Sequence, residues 1–124
     1  KMKTLTIEDI LNNKKIIEKR QGEQFYSKVF RRRIEIADIS PERILSIVNS
    51  ATEDEPLRAD YELIYECCPI FRSKELFDAY GDIEDPVMIV EKVFNRNIFE
   101  IDSLAKFILK KYGYYGDVET IKKQ

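Results

Sequence analysis

The chain has 124 residues, 44% hydrophobic and 35% charged, with a net charge of −2; this suffices for one modest core and predicts a single domain over residues 1–124. The sequence has no histidine and no glycine-rich phosphate loop, so we expect a non-enzymatic protein without a cofactor or metal. No apolar run approaches the roughly 20 residues that cross a bilayer, so we expect no membrane contact and a cytoplasmic location.

The first predicted element is a short helix within residues 1–13. Thr6 can cap this helix, and Asp9 stands at the third helical position, which is the spacing of a capping box. Asn12 and Asn13 follow, and asparagine weakens a helix interior. We therefore expect the helix to end there.

Residues 14–36 form a predicted β-hairpin. Gly22 lies between two runs rich in β-branched and aromatic residues, as at a hairpin turn. We place the first strand near Lys14–Lys19 and the second near Gln24–Ile36. In the second strand four apolar residues share one parity, with Lys28 and Arg32 as exceptions: Tyr26, Phe30, Ile34 and Ile36. Because the alternation is imperfect, partial cover of both faces is the alternative to one apolar face. An isolated hairpin is marginally stable, so this one should rest on helices.

Residues 40–112 form a predicted helical body with clear punctuation. Favoured capping residues, two of them followed by proline, mark the helix starts: Ser40-Pro41, Ser73 and Asp85-Pro86. Proline or glycine marks the helix ends: Pro69, Gly81 and Gly113. Apolar stripes predict two longer helices, over Leu57–Cys68 and Phe99–Tyr112. Residues 113–124 should be a frayed tail.

These elements predict a mainly α fold, a small helical domain of five or six helices with an N-terminal β-hairpin as a minor α+β component. The two cysteines, Cys67 and Cys68, are sequence neighbours. A bond between adjacent cysteines is strained and closes no useful loop. We therefore expect reduced thiols that pack as small core side chains.

Charge is unevenly distributed along the chain. Residues 1–43, 44–91 and 92–124 carry net charges of +4, −9 and +3. Such blocks can steer association with a partner, or self-association of copies head to tail. The alternative is a solvated surface whose charges cluster by chance.

The most basic motif is Arg31-Arg32-Arg33, which lies close to aromatic residues. It has three interpretations: a solvated or edge-protecting strand face, a protein-binding surface, or a nucleic-acid site that neutralises phosphates and stacks bases. In a strand the middle arginine points away from its neighbours, and the whole chain is slightly acidic. Among the binding roles we therefore favour protein over nucleic acid.

Partner contacts are predicted at arginines of this motif and at aromatic residues whose helical placement is ambiguous. The candidates are Arg31, Arg33, Phe71, Tyr80, Tyr114 and Tyr115. Exposed aromatic side chains often anchor an interface. For Phe71 and Tyr80 the stronger interpretation is that they fill the core between short helices.

Several motifs together carry a family resemblance: Leu63-Ile64-Tyr65 before Pro69, Ser73-Lys74-Glu75-Leu76, Asp85-Pro86 before Ile89-Val90 and Val93-Phe94, Glu100-Ile101, and the segment Ile34 to Ser46. In pattern and spacing the chain resembles the XkdN-like tail assembly chaperones of phages and phage-derived particles. The resemblance implies a non-enzymatic protein of the host bacterial cytoplasm. It also implies that the partners are the tail tape measure protein and tail tube subunits.

Overall fold

The computed structural model describes residues 3–20, of which 17–20 as backbone only, and residues 24–114. The elements in chain order are α1 (Ile7–Arg20), β1 (Gln24–Ser27), β2 (Arg32–Glu35), α2 (Pro41–Asn49), α3 (Arg58–Cys67), α4 (Lys74–Tyr80), α5 (Ile89–Val93) and α6 (Ile98–Lys111). Two 3₁₀ turns, Pro69–Arg72 and Pro86–Met88, precede α4 and α5. The predicted mainly helical fold with a small hairpin is confirmed. None of the described helices is long and apolar enough to span a membrane.

The predicted start of α1 is confirmed, whereas its predicted end is wrong. The Asp9 N–H donates to Thr6 Oγ1 at 3.2 Å and the Thr6 N–H donates to Asp9 Oδ2 at 3.0 Å, which completes a capping box. The helix continues to Arg20, through the segment predicted as the first strand. An asparagine costs a helix only about 0.7 kcal/mol, and the lysines and glutamate that follow favour helix.

The hairpin lies entirely within the segment predicted as the second strand. β1 and β2 are antiparallel, with Phe25 opposite Ile34 and Tyr26 opposite Arg33. The chain therefore reverses at residues 28–31, whereas the turn predicted at Gly22 lies outside the described residues. Because the reversal changes the parity, Tyr26 faces away from Ile34, and the predicted shared apolar face is wrong.

The turn at residues 28–31 forms without glycine. The Arg31 N–H donates to the Ser27 carbonyl at 2.8 Å, and the Phe30 N–H donates to Ser27 Oγ at 3.2 Å. Arg31 has a φ of 55°, in the left-handed region that arginine rarely adopts. Ser27 is the last residue of β1 and is fully buried. Its side chain and its carbonyl therefore hold the turn in place from within the hairpin.

The helical body is built around the pairing of α3 with α6, with α2 and α5 packed against α3. Its most deeply buried large side chains come from these helices and from Phe71: Ile44, Ile47, Leu63, Ile64, Phe71, Ile89, Phe94, Ile101, Leu104 and Ile108. The apolar stripe predicted for the last helix is thus the face that α6 buries.

Local punctuation sets most of the helix bounds. Ser40 caps α2, since its side chain accepts from the Arg43 N–H at 3.2 Å. Gly81 follows α4 with a φ of 78°, as expected of a terminating glycine. Ser73 occupies the predicted capping position of α4 but makes no capping hydrogen bond through its side chain.

The strand-to-helix connection after β2 is tied to the end of α6. The Tyr112 hydroxyl accepts from the Ile39 N–H at 2.8 Å and donates to the Ile39 carbonyl at 3.0 Å. Lys111 lies 3.3 Å from the carboxylate of Asp38. These contacts fix where the hairpin sits relative to the helical body.

Candidate protein-binding surface

The aromatic candidates lie in different parts of the structure. Phe71 is 2% exposed and its ring centroid lies 5.6 Å from that of Phe94, so the hypothesis that Phe71 is an exposed anchor is wrong. Its 3₁₀ turn points the ring into the core, as the alternative interpretation predicted. Tyr80 is 43% exposed at the end of α4, and Tyr114 packs half-buried against the core. Tyr115 lies outside the described residues.

The arginine candidates both lie exposed on the hairpin. The sequence predicted that Arg31 and Arg32 point to opposite faces of a strand. Arg31 lies in the turn before β2, so this prediction does not apply to it. Arg33 lies directly across from Tyr26, and the two side chains therefore share the outward face of the hairpin. The structure thus brings the Arg33 cation and the exposed Tyr26 ring to one surface.

A groove of 560 Å³ lies between this hairpin and the start of α6. We call it the hairpin groove. It is lined by Phe25, Tyr26, Lys28, Val29, Asn97, Phe99, Glu100 and Ser103. Its walls thus come from β1, the turn and the first turns of α6.

Glu100 joins the two walls of the hairpin groove. Asn97 caps α6 by accepting from the Glu100 N–H at 3.1 Å, which places Glu100 in the first helical turn. The Glu100 carboxylate then accepts from the Val29 N–H at 2.7 Å. An acid at a helix N-terminus also interacts favourably with the helix dipole, so Glu100 holds the turn against α6.

Aromatic contacts hold the inner face of the hairpin against the helices. Phe25 meets Phe107 edge to face with ring centroids 5.5 Å apart, and Phe30 meets Phe94 at 5.4 Å. Such pairs contribute about 0.5–1.5 kcal/mol beyond their buried area. Because both ends of the hairpin are fastened, the groove is present before any partner binds.

The rim of the hairpin groove is apolar and exposed. Phe99 is 81% exposed, Tyr26 is 56% exposed and Val29 is 40% exposed. Sequence reasoning missed Phe99, although its position carried a signal: it lies about 160° around α6 from the buried Ile101. A phenylalanine opposite the buried stripe of its helix has no core to fill, and large exposed aromatic side chains are typical interface anchors.

The surroundings of the hairpin groove are basic. Lys28 and the three arginines of residues 31–33 are exposed, whereas the carboxylate of Glu100 is buried and engaged with the backbone. This surface therefore suits a partner that combines apolar side chains with acidic neighbours.

Asp60 is a carboxyl group with a perturbed environment outside both grooves. The pKa of Asp60 is raised to about 7, first by burial and then by the nearby Asp102 carboxylate, while Lys106 acts to lower it. Asp60 lines neither the hairpin groove nor the larger groove that contains Tyr80. Among the described residues no group of three acids or cysteines could hold a metal ion.

No family model, no curated protein and no solved structure matches this chain. The functional interpretation therefore rests on the hairpin groove and on the motif resemblance described above.

Proposed function

We propose that the protein is a non-enzymatic tail assembly chaperone that binds a helical segment of a tape measure protein in the hairpin groove. The observation that carries the proposal is the exposed Phe99 and Tyr26 on a groove that Glu100 keeps open. The motif resemblance supplies the identity of the client, and of tail tube subunits as further partners.

The geometry suits a helix-in-groove contact. An amphipathic client helix would place apolar side chains at i, i+3 and i+4 against Phe99, Tyr26 and Val29. Acidic residues beside that stripe would meet Lys28 and Arg33 on the rim, which orients the helix and excludes basic clients. Because the groove is small, each contact is weak, and many copies along one extended client supply the retention.

Co-expression with a phage tail tape measure protein tests the proposal. Wild type should keep the client soluble and co-purify with it, and the double variant Tyr26→Ala with Phe99→Ala should lose both effects. Ile70→Ala is the matched control, because Ile70 is 63% exposed on the 3₁₀ turn before α4 and does not line the groove. An insoluble, unbound client with the wild type would overturn the proposal.

One observation favours a second candidate function, binding of single-stranded nucleic acid. Tyr26 lies exposed across from Arg33, and an aromatic ring beside a cation can stack a base while the cation neutralises a phosphate. This function predicts a mobility shift with generic DNA or RNA that weakens steeply with salt. The absence of a shift at low salt would remove it.

A further inference from the structure

Helix α1 is an amphipathic helix whose apolar side chains remain exposed in the part of the chain that the structure describes. No other described element packs extensively against it. Four of its apolar side chains are 49% to 72% exposed: Ile7, Ile10, Leu11 and Ile16. Ile7, Ile10 and Leu11 have the i, i+3, i+4 spacing of one apolar stripe.

This exposure is unusual for a helix of this kind. A helix of 14 residues is marginally stable alone in water, and Asn12-Asn13 lowers its stability further. Helices of this length owe most of their stability to the packing of an apolar face. The stripe on α1 therefore needs a surface to cover it.

A suitable surface lies mostly in residues 44–91, the segment with a net charge of −9. A groove of 720 Å³, which we call the acidic groove, is lined by Tyr80, Asp82, Ile83, Glu84, Asp85, Met88, Glu91, Lys92, Asn95 and Arg96. Its apolar lining comes from Tyr80, Ile83 and Met88. No described residue of α1 lines it.

The acids of this groove are only partly neutralised within the chain. Asp85 is paired with Arg58, and Glu91 lies 3.9 Å from Arg96. Asp82 and Glu84 are both exposed and have no ion pair with any described residue. The groove therefore offers apolar contact beside uncompensated negative charge.

Helix α1 has the complementary pattern. Its apolar stripe precedes residues 14–20, which contain four basic residues and one acidic residue. The acids of its first turn, Glu8 and Asp9, can meet the two cations of the groove, Lys92 and Arg96. A parallel pair of α1 helices would bring their basic halves together, which like charges disfavour. An antiparallel pair would not involve Asp82 and Glu84, so a variant of the groove distinguishes it.

We propose that α1 of one copy docks in the acidic groove of a second copy, so that copies associate head to tail. The contact is heterologous, since each copy offers a helix to one neighbour and a groove to another. Only the two end copies keep a free element, an α1 at one end of the assembly and an acidic groove at the other, and the hairpin groove of every copy is left open.

Two variants separate this arrangement from its alternatives. Ile10→Asp with Leu11→Asp removes the stripe but leaves the groove, and Asp82→Lys with Glu84→Lys reverses the charge of the groove but leaves α1. Each should weaken self-association about tenfold or more in sedimentation velocity runs over a wide concentration range. Mixed in equal amounts, the two variants retain one intact interface and should form a 1:1 pair that does not extend.

Ile16→Asp is the matched control, because Ile16 is 51% exposed and lies about 180° around α1 from Ile7. It should associate like the wild type. A wild type that stays monomeric at every concentration would overturn the proposal, as would a groove variant that associates normally or a mixture without a 1:1 pair. The experiment uses the chain alone, so its failure would leave the proposed client binding untouched.

Discussion

The Val29 N–H and the Glu100 carboxylate form a 2.7 Å hydrogen bond across 71 positions of sequence. Glu100 is 7% exposed, so the bond is shielded from water and the acid accepts from backbone rather than from a cation. Because Val29 belongs to the hairpin turn and Glu100 to the first turn of α6, this contact joins the two walls of the hairpin groove.

Replacement of Glu100 should therefore loosen the hairpin. Glu100→Ala leaves the Val29 N–H without its acceptor and should lower the free energy of unfolding by about 1.5–3 kcal/mol, whereas Glu100→Gln keeps an acceptor and should cost about 1 kcal/mol. Urea unfolding followed by circular dichroism measures both. Asp78→Ala is the control, because it removes an exposed pair with Lys74 worth less than about 0.5 kcal/mol. Equal losses in the three variants would contradict the prediction.

The turn residue Arg31 is held at a φ of 55°, which glycine adopts freely and arginine does not. Arg31→Gly should raise the free energy of unfolding by about 0.5–1 kcal/mol, because the strain at this position is removed. If the guanidinium also orients a client, the same variant should bind that client more weakly while being more stable. A drop in the urea midpoint of Arg31→Gly would show that its side chain supports the turn.

The sequence predicts those features of the fold that depend only on residues close together in the chain, namely helix caps and the apolar stripe of a helix. The caps at Thr6 and Ser40 were found because a capping side chain and the N–H it accepts from are three residues apart. The stripe of α6 was found because helical periodicity is a property of the segment itself. Helix starts and the buried face of α6 therefore followed from sequence.

The hairpin could not be placed in the same way. Its turn at residues 28–31 contains neither glycine nor asparagine. The turn is stabilised by Ser27, the residue before it, and by Glu100, which lies far along the chain. The prediction placed the turn of the hairpin at Gly22, because glycine is the strongest turn signal in this region, whereas the observed turn lies at residues 28–31. Because the position of the turn was wrong, the pairing of residues across the hairpin was wrong as well. Tyr26 was therefore assigned to the same face as Ile34 instead of the opposite face.

Asp60 should make stability depend on pH. Its pKa is raised from 3.8 to about 7, first by burial and then by Asp102, so the folded state holds a proton that the unfolded state has released between those values. The stabilisation is fully present below pH 3.8 and is lost as pH rises through about 7. The free energy of unfolding should fall across this window.

Asp60→Asn should remove this contribution, because asparagine does not ionise. The variant should match the wild type near pH 4. Because only the wild type loses stability as pH rises, the variant should be the more stable protein by about 1–3 kcal/mol above pH 7. This range is reduced to allow for the partial exposure of the side chain. Urea midpoints measured across this pH range provide the test. A constant difference between the two proteins at every pH would show that Asp60 is already ionised in the folded state.

The thiols of Cys67 and Cys68 should be inert in the folded protein. Both side chains are fully buried, and burial raises the pKa of Cys67 to about 11 and that of Cys68 to about 12. Since the thiolate is the reactive species, labelling by Ellman's reagent at neutral pH should be as slow as the opening of the core, and complete at once in urea. Ser46→Cys, which adds a thiol on the exposed side of α2, should release one equivalent immediately. Rapid native labelling of the wild type would mean that the α3 end of the core opens readily, since neither thiol reaches solvent in the folded state.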